Sequence, residues 1–130
     1  MATPAVAIAM GGSMSFSITV DPSGRFVYST IGTTPSTPTA VIAQFTIDQS
    51  NGALTAMTPP TVSAGGAGTA VITVEASGKY AYATSGESSW GNSSIAQFAI
   101  DQTTGALTLM NNPTVQTSGI GPSGIVTVGK

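Results

Sequence analysis

A chain of 130 residues with 41% hydrophobic content is long enough for one domain with a real core, yet only 6% of it is charged, against about 25% in an ordinary soluble domain. Three cations, five acids and a net charge of −2 leave no basic face to neutralise phosphates, which argues against nucleic acid or an anionic membrane surface as partner. Cysteine is absent, which excludes disulfides, thiolate catalysis and zinc–thiolate sites together.

The chain starts with an apolar stretch, Met1 to Met10, that has no positively charged leader before it and so reads poorly as a secretory signal. No apolar run approaches the roughly 20 residues of a transmembrane helix. Strand signals follow, and no window shows the i, i+3, i+4 spacing of an amphipathic helix. The first strand is expected over Phe16 to Val20 and the second over Arg25 to Thr30. Between them Asp21-Pro-Ser-Gly24 predicts a type I turn, with Pro fixing φ at its second position and Gly supplying the left-handed residue. The third strand, Val41 to Ile47, is apolar on both alternating faces: Val41, Ala43, Phe45 and Ile47 point one way, Ile42, Gln44 and Thr46 the other. Such a strand belongs to a sheet covered on both sides. Asp48-Gln-Ser-Asn-Gly52 is a hairpin loop leading into a fourth strand, Ala53 to Met57, and Pro59 to Gly68 reads as a linker.

The pattern then repeats. Val71-Ile-Thr-Val-Glu-Ala-Ser-Gly-Lys-Tyr-Ala-Tyr82 returns Ser17-Ile-Thr-Val-Asp-Pro-Ser-Gly-Arg-Phe-Val-Tyr28 at an offset of 54. Ala96-Gln-Phe-Ala-Ile-Asp-Gln-Thr-Thr-Gly-Ala-Leu-Thr108 returns Ala43 to Thr55 at an offset of 53. The second set of strands is therefore expected at Ala70 to Val74, Lys79 to Thr84, Ile95 to Ile100 and Ala106 to Met110, with a second linker at Pro113 to Pro122. The fold class is all-β: one repeat domain over 1–130, with four-stranded antiparallel units at 14–62 and 68–115 and a surplus first strand of a third unit at 122–130.

Four short strands per repeat of about 50 residues make a β-propeller blade. The pair Val-Asp-Pro-Ser-Gly-Arg-Phe-Val-Tyr and Ile-Asp-Gln-x-x-Gly-Ala-Leu-Thr resembles the blade repeat of the lactonase-type (YVTN-like) seven-bladed propellers, the superfamily of the 6-phosphogluconolactonases and of many bacterial surface and periplasmic repeat proteins. The resemblance covers nearly the whole chain. It implies a propeller fold, and it suggests lactonase chemistry only if a family-like set of His, Glu and Arg is present.

That set does not carry over, because the chain has no His. Asp21, Asp48, Glu75 and Asp101 fall at repeated turn positions, where carboxylates accept backbone hydrogen bonds. No catalytic residue, metal site or cofactor is expected. The segment that closes the chain, Pro122-Ser-Gly-Ile-Val-Thr-Val128, matches Met14 to Val20 at 108 residues, twice 54. Two units alone would leave two apolar sheet faces bare. Three coverings are open: a longer propeller of which this is a fragment, a ring closed with copies of the chain, or a head-to-tail fibre. Ile125, Val126, Thr127 and Val128 either pair with an open edge of a neighbouring subunit or stay with their own chain, fraying or folding back. Gly129-Lys130 directly after this segment favours assembly over a cut fragment.

The expectation is thus a structural, self-associating protein of an extracellular or cell-surface filament or ring, its partners being copies of itself. The alternative is a carbohydrate- or partner-binding propeller module, or a non-catalytic fragment of a lactonase-like propeller. The loops after the second strand of each unit diverge most, and Trp90 lies in one of them beside Glu87 and Asn92, a set suited to stacking on a sugar ring. The other reading of Trp90 is packing onto its own blade or a subunit neighbour. Asn92-Ser-Ser94 also fits an N-glycosylation acceptor. Tyr28, Tyr80 and Tyr82 are expected to pack between sheets, and Phe45 and Phe98 to be core.

Overall fold

The computed structural model describes residues 15–32, 40–64, 69–86, 93–117 and 124–128. Eight strands follow one another: β1 (Ser15–Val20), β2 (Phe26–Ile31), β3 (Val41–Ile47), β4 (Leu54–Ser63), β5 (Thr69–Val74), β6 (Tyr80–Gly86), β7 (Ser93–Ile100) and β8 (Leu107–Gln116). They form two antiparallel sheets in sequence order, β1-β2-β3-β4 and β5-β6-β7-β8. The turns explain the simplicity of this order. Gly24 N–H donates to the Asp21 carbonyl at 2.9 Å and Gly24 takes φ +71°, and Gly78 repeats both features on Glu75. The β3–β4 and β7–β8 loops close one residue wider, with Gly52 N–H on the Asp48 carbonyl and Gly105 N–H on that of Asp101.

The outer strands run further than the sequence suggests. β4 and β8 were expected to stop at Met57 and Met110, with proline-bearing linkers after them; instead they continue to Ser63 and Gln116. The register shows how. Phe45 faces Ala56, yet Ala43 faces Thr61, so residues 57–60 bulge out and the strand rejoins the ladder beyond the prolines. The second sheet repeats the bulge, with Phe98 opposite Leu109 and Ala96 opposite Thr114. An edge strand has one row of backbone groups without a ladder to complete, so Pro59 and Pro60 interrupt nothing there.

The two sheets stack, with β1 and β2 against β5. The main core lies between them and joins Phe26, Tyr28 and Ile42 of the first sheet to Ile72, Val74, Phe98, Ile100 and Leu107 of the second. A smaller cluster on the far face of the first sheet gathers Val27, Ala43 and Phe45. β3 thus has buried residues on both sides, but the expected second covering sheet is not there among the described residues: the far-face cluster is closed by the first sheet's own side chains. Residues 124–128 run beside β5 without a strand ladder, held by the Thr127 hydroxyl, which donates to the Val74 carbonyl at 2.8 Å.

Candidate functional site

The acids resolve first. Asp21 is buried at 7% exposure, and its carboxylate collects the backbone N–H groups of Ser23, Arg25 and Phe26 at 3.0, 2.9 and 2.8 Å, besides the Ser23 hydroxyl. Burial pushes its pKa up, but these donors together outweigh it and hold the carboxyl below its ordinary value. Glu75 does the same work in the second turn, accepting from the N–H groups of Ser77 and Lys79 and the Ser77 hydroxyl. Asp48 and Asp101 each cap their own loop, through Ser50 N–H and through the N–H groups of Thr103 and Thr104, all at 2.8 Å. The Ser50 hydroxyl and then its N–H lower the pKa of Asp48, and the N–H groups of Thr104 and Thr103 lower that of Asp101. Each carboxylate is therefore committed to the backbone that follows it. Among the described residues no three metal-ligating side chains gather.

The polar groups that do meet lie at the joint between the sheets. The Tyr28 hydroxyl, fully buried, donates to the Gly105 carbonyl at 2.6 Å, and burial raises its pKa well above that of an ordinary phenol, with the Asp21 charge adding to the effect. The Phe26 ring lies so close on Gly105 that a Cβ there would come within 2.3 Å of it. Arg25 spans the same joint: its Nη2 donates to the Gln102 carbonyl at 2.9 Å and its guanidinium sits 4.7 Å from the Phe26 ring centroid. Gln44, also fully buried, uses both ends of its amide. Its Nε2 donates to the Pro59 carbonyl in the β4 bulge at 3.1 Å, and its Oε1 accepts from Leu107 N–H at 2.7 Å. One side chain thus pins the bulge of its own sheet to the edge strand of the next. Ser17 completes the joint at the inner strands, accepting from Ile72 N–H at 3.4 Å.

Most of these residues recur in the sequence, Ser17 being replaced by Val71 and Pro59 by Asn112, and apolar counterparts of the joint lie on the two outward faces. Ile72 and Val74 face the joint at 3% and 7% exposure, while their counterparts Ile18 and Val20 lie on the outer face of the first sheet at 66% and 52%. Ile100 and Leu107 are buried against the joint; Ile47 and Leu54 are half-exposed. On the outer face of the second sheet Tyr80 is 41% exposed where Phe26 is 5%, and Val115 is exposed where Val62 packs on the core. Tyr82 and Ile95 are half-buried where Tyr28 and Ile42 are sealed.

No family model matches the chain, and no curated protein matches it significantly. A solved structure does: a putative 6-phosphogluconolactonase from Bacteroides uniformis, similar with a TM-score of 0.60 and 27% identity over 86% of this chain. The chain carries lactonase-like propeller blades. It spans 29% of the length of that structure.

The two sheets are accordingly two blades with β1 and β5 as their inner strands, and residues 124–128 lie against β5 as the inner strand of a further blade would. The residues singled out for ligand binding, Glu87, Trp90 and Asn92, lie outside the described residues. Of the assembly segment, Ile125 is half-buried, Val126 and Val128 are exposed at 81% and 84%, and Thr127 makes the contact to β5. Phe45 and Phe98 are core, and Tyr28 is sealed between blades as expected. Tyr80 departs from that expectation, since its face has no sheet laid on it among the described residues. Sequence reading missed Gln44 as the pin of the joint, although its return as Gln97 inside another apolar strand was the available signal. No helix among the described residues is long and apolar enough to cross a membrane.

Proposed function

We propose that the chain is a structural two-blade segment of a lactonase-type propeller, working by presenting blade faces to further blades and carrying no catalysis of its own. The observation behind this reading is the unequal burial of equal residues: Ile18 at 66% against Ile72 at 3%, in strands of matching sequence and register. Apolar side chains that repeat a buried set, on a face bare of that set's partner, are the mark of a repeat whose neighbour is elsewhere. The 29% of the similar structure that the chain covers is also the share that two blades take of a seven-bladed ring, about two sevenths. The missing blades come from the remainder of a longer propeller, or from other copies in a ring or filament at the cell surface.

The commitment of Asp21, Asp48, Glu75 and Asp101 to their turns supports the non-catalytic part, since a general acid or base must have a proton site open to substrate. The test is a tandem chain in which Pro122 is followed directly by Ser15 of a second copy, keeping the natural period of 108 residues. Repeat stability grows with each interface added. The tandem chain is expected to melt several degrees above the single one at equal, low concentration, and an unchanged Tm would overturn the blade-segment reading.

A further inference from the structure

Resting on the blade reading, we infer that the partner of each open face is a second copy of this chain, docked head to tail: the outer face of the second blade of one copy seats on the outer face of the first blade of the next. The joint inside the chain shows what such a contact is made of, and the chain carries most of both halves a second time, the Ser17 hydroxyl excepted. On one outer face stand Lys79, Tyr80, Tyr82 and Ile95, the counterparts of Arg25, Phe26, Tyr28 and Ile42. On the other stand Gln49, Gly52 and Leu54, the counterparts of Gln102, Gly105 and Leu107.

Gly52 is the most telling of these. Gly105 has the Phe26 ring pressed onto it; Gly52 adopts the same left-handed φ, +76° against +78°, but a Cβ there would meet nothing within 4 Å. The space over Gly52 is the space a ring occupies over Gly105. In the docked pair Tyr80 of one copy fills it, the Tyr82 hydroxyl donates to the Gly52 carbonyl as Tyr28 donates to Gly105, and Lys79 reaches the Gln49 carbonyl as Arg25 reaches Gln102. The two faces differ from each other, so the contact is heterologous and propagates instead of pairing two copies symmetrically. The inner lane is already marked: Val126-Thr127-Val128 lies beside β5 where the incoming Ile18-Thr19-Val20 would run. Docking displaces residues 126–128 from that lane, and the incoming Ile18 and Val20 take against the second blade the places that Ile72 and Val74 hold against the first.

Sedimentation equilibrium of the intact chain tests this, with one variant on each face. The parent is expected to show a mass above 12.8 kDa that rises with concentration. Ile18→Asp and Tyr80→Glu each disable one half of the contact and are expected to be monomeric, with the circular dichroism of the parent because both sites are exposed. Mixed in equal amounts, they are expected to give a dimer and nothing larger, since one intact half remains on each. A parent that stays monomeric up to millimolar concentration overturns the inference, as does a mixture that stays monomeric while the parent associates. Should either variant fail to fold, Val20→Asp and Val115→Asp, at 52% exposure each, put the same question. A tandem chain that is stabilised while the single chain remains monomeric leaves the blade reading standing and removes the second copy as partner.

Discussion

The first and second blades share their turns, their ladder registers and most of their apolar positions, yet Phe26 is 5% exposed and its counterpart Tyr80 is 41% exposed. The reverse holds at the inner strands, where it is the second blade's Ile72 that is sealed and the first blade's Ile18 that is open. Neither blade is the better built. Each has one finished face and one outward face, and the finished faces are the two that meet. At these positions, though not at Val27, Ala43 and Phe45, burial is a property of the neighbour, because a β-strand with apolar residues on both sides offers the same side chains whether or not a sheet lies over them. The stability carried by a residue type should accordingly differ between the copies while the local fold does not.

The largest difference is expected for the ring at the joint. Phe26→Ala empties a site packed against Gly105 and is expected to cost about 3–5 kcal/mol in urea unfolding, the range for a buried aromatic, whereas Tyr80→Ala costs no more than about 1 kcal/mol. Equal costs would mean that the joint contributes nothing to folding. The loop glycines give the next contrast. Both sit at a positive φ that L residues adopt at a cost of about 1–2 kcal/mol, but only at position 105 does the added methyl collide with a ring. Gly52→Ala is therefore expected to cost about 1–2 kcal/mol and Gly105→Ala roughly 1–3 kcal/mol more, from overpacking. A crystal structure of the Gly105→Ala protein would show the Phe26 ring displaced.

What the sequence makes legible divides along the same line. The turns could be read directly, since Asp21, Gly24, Asp48 and Gly52 have local jobs that their residue types announce and that their return at 75, 78, 101 and 105 repeats. Core membership of Phe45 and Phe98 followed from alternation alone. The length of β4 did not, because Pro59 lacks an N–H and so looks like a strand end; only the sheet order, which places β4 at an edge, shows that the missing donor is not needed. The return of Gln44 as Gln97 marked the position, but its task was illegible for a related reason. A glutamine between Ala43 and Phe45 reads as the polar side of a strand, and its task depends on two backbone groups, at 59 and 107, that the fold alone brings to it. The count of strands announced two bare faces, but not that Tyr80 and Ile18 stand on them, since repeated sequence predicts repeated burial. Of the candidate sites, the joint and its duplicate halves emerge from the structure, while the set around Trp90 rests on sequence alone.

A finer comparison concerns the two tyrosines. Tyr28→Phe removes a buried donor from the Gly105 carbonyl and is expected to lower stability by about 1 kcal/mol; Tyr82→Phe, on the open face, is expected to change it by less than about 0.5 kcal/mol. If copies dock as inferred, the Tyr82 variant acquires a cost that grows with protein concentration, and concentration-dependent melting would reveal it.

The smallest expected effect separates Asp21 from Asn at the same position as pH falls. The folded carboxyl of Asp21 titrates below its ordinary value, because burial is outweighed by the donors of Ser23, Phe26 and Arg25. An acid whose pKa is lowered by folding stabilises the native state fully above its unfolded value, about 3.9, and loses that contribution as pH drops through the folded one. The stability difference between the parent and Asp21→Asn should therefore be constant from pH 7 down to about 5 and narrow progressively below about 4. Asn can still accept at its one carbonyl oxygen but turns an amide donor toward N–H groups, so the parent is expected to be the more stable at neutral pH. A difference that stays flat to pH 3 would mean that Asp21 serves the turn by shape and that its charge contributes nothing to holding the three N–H groups.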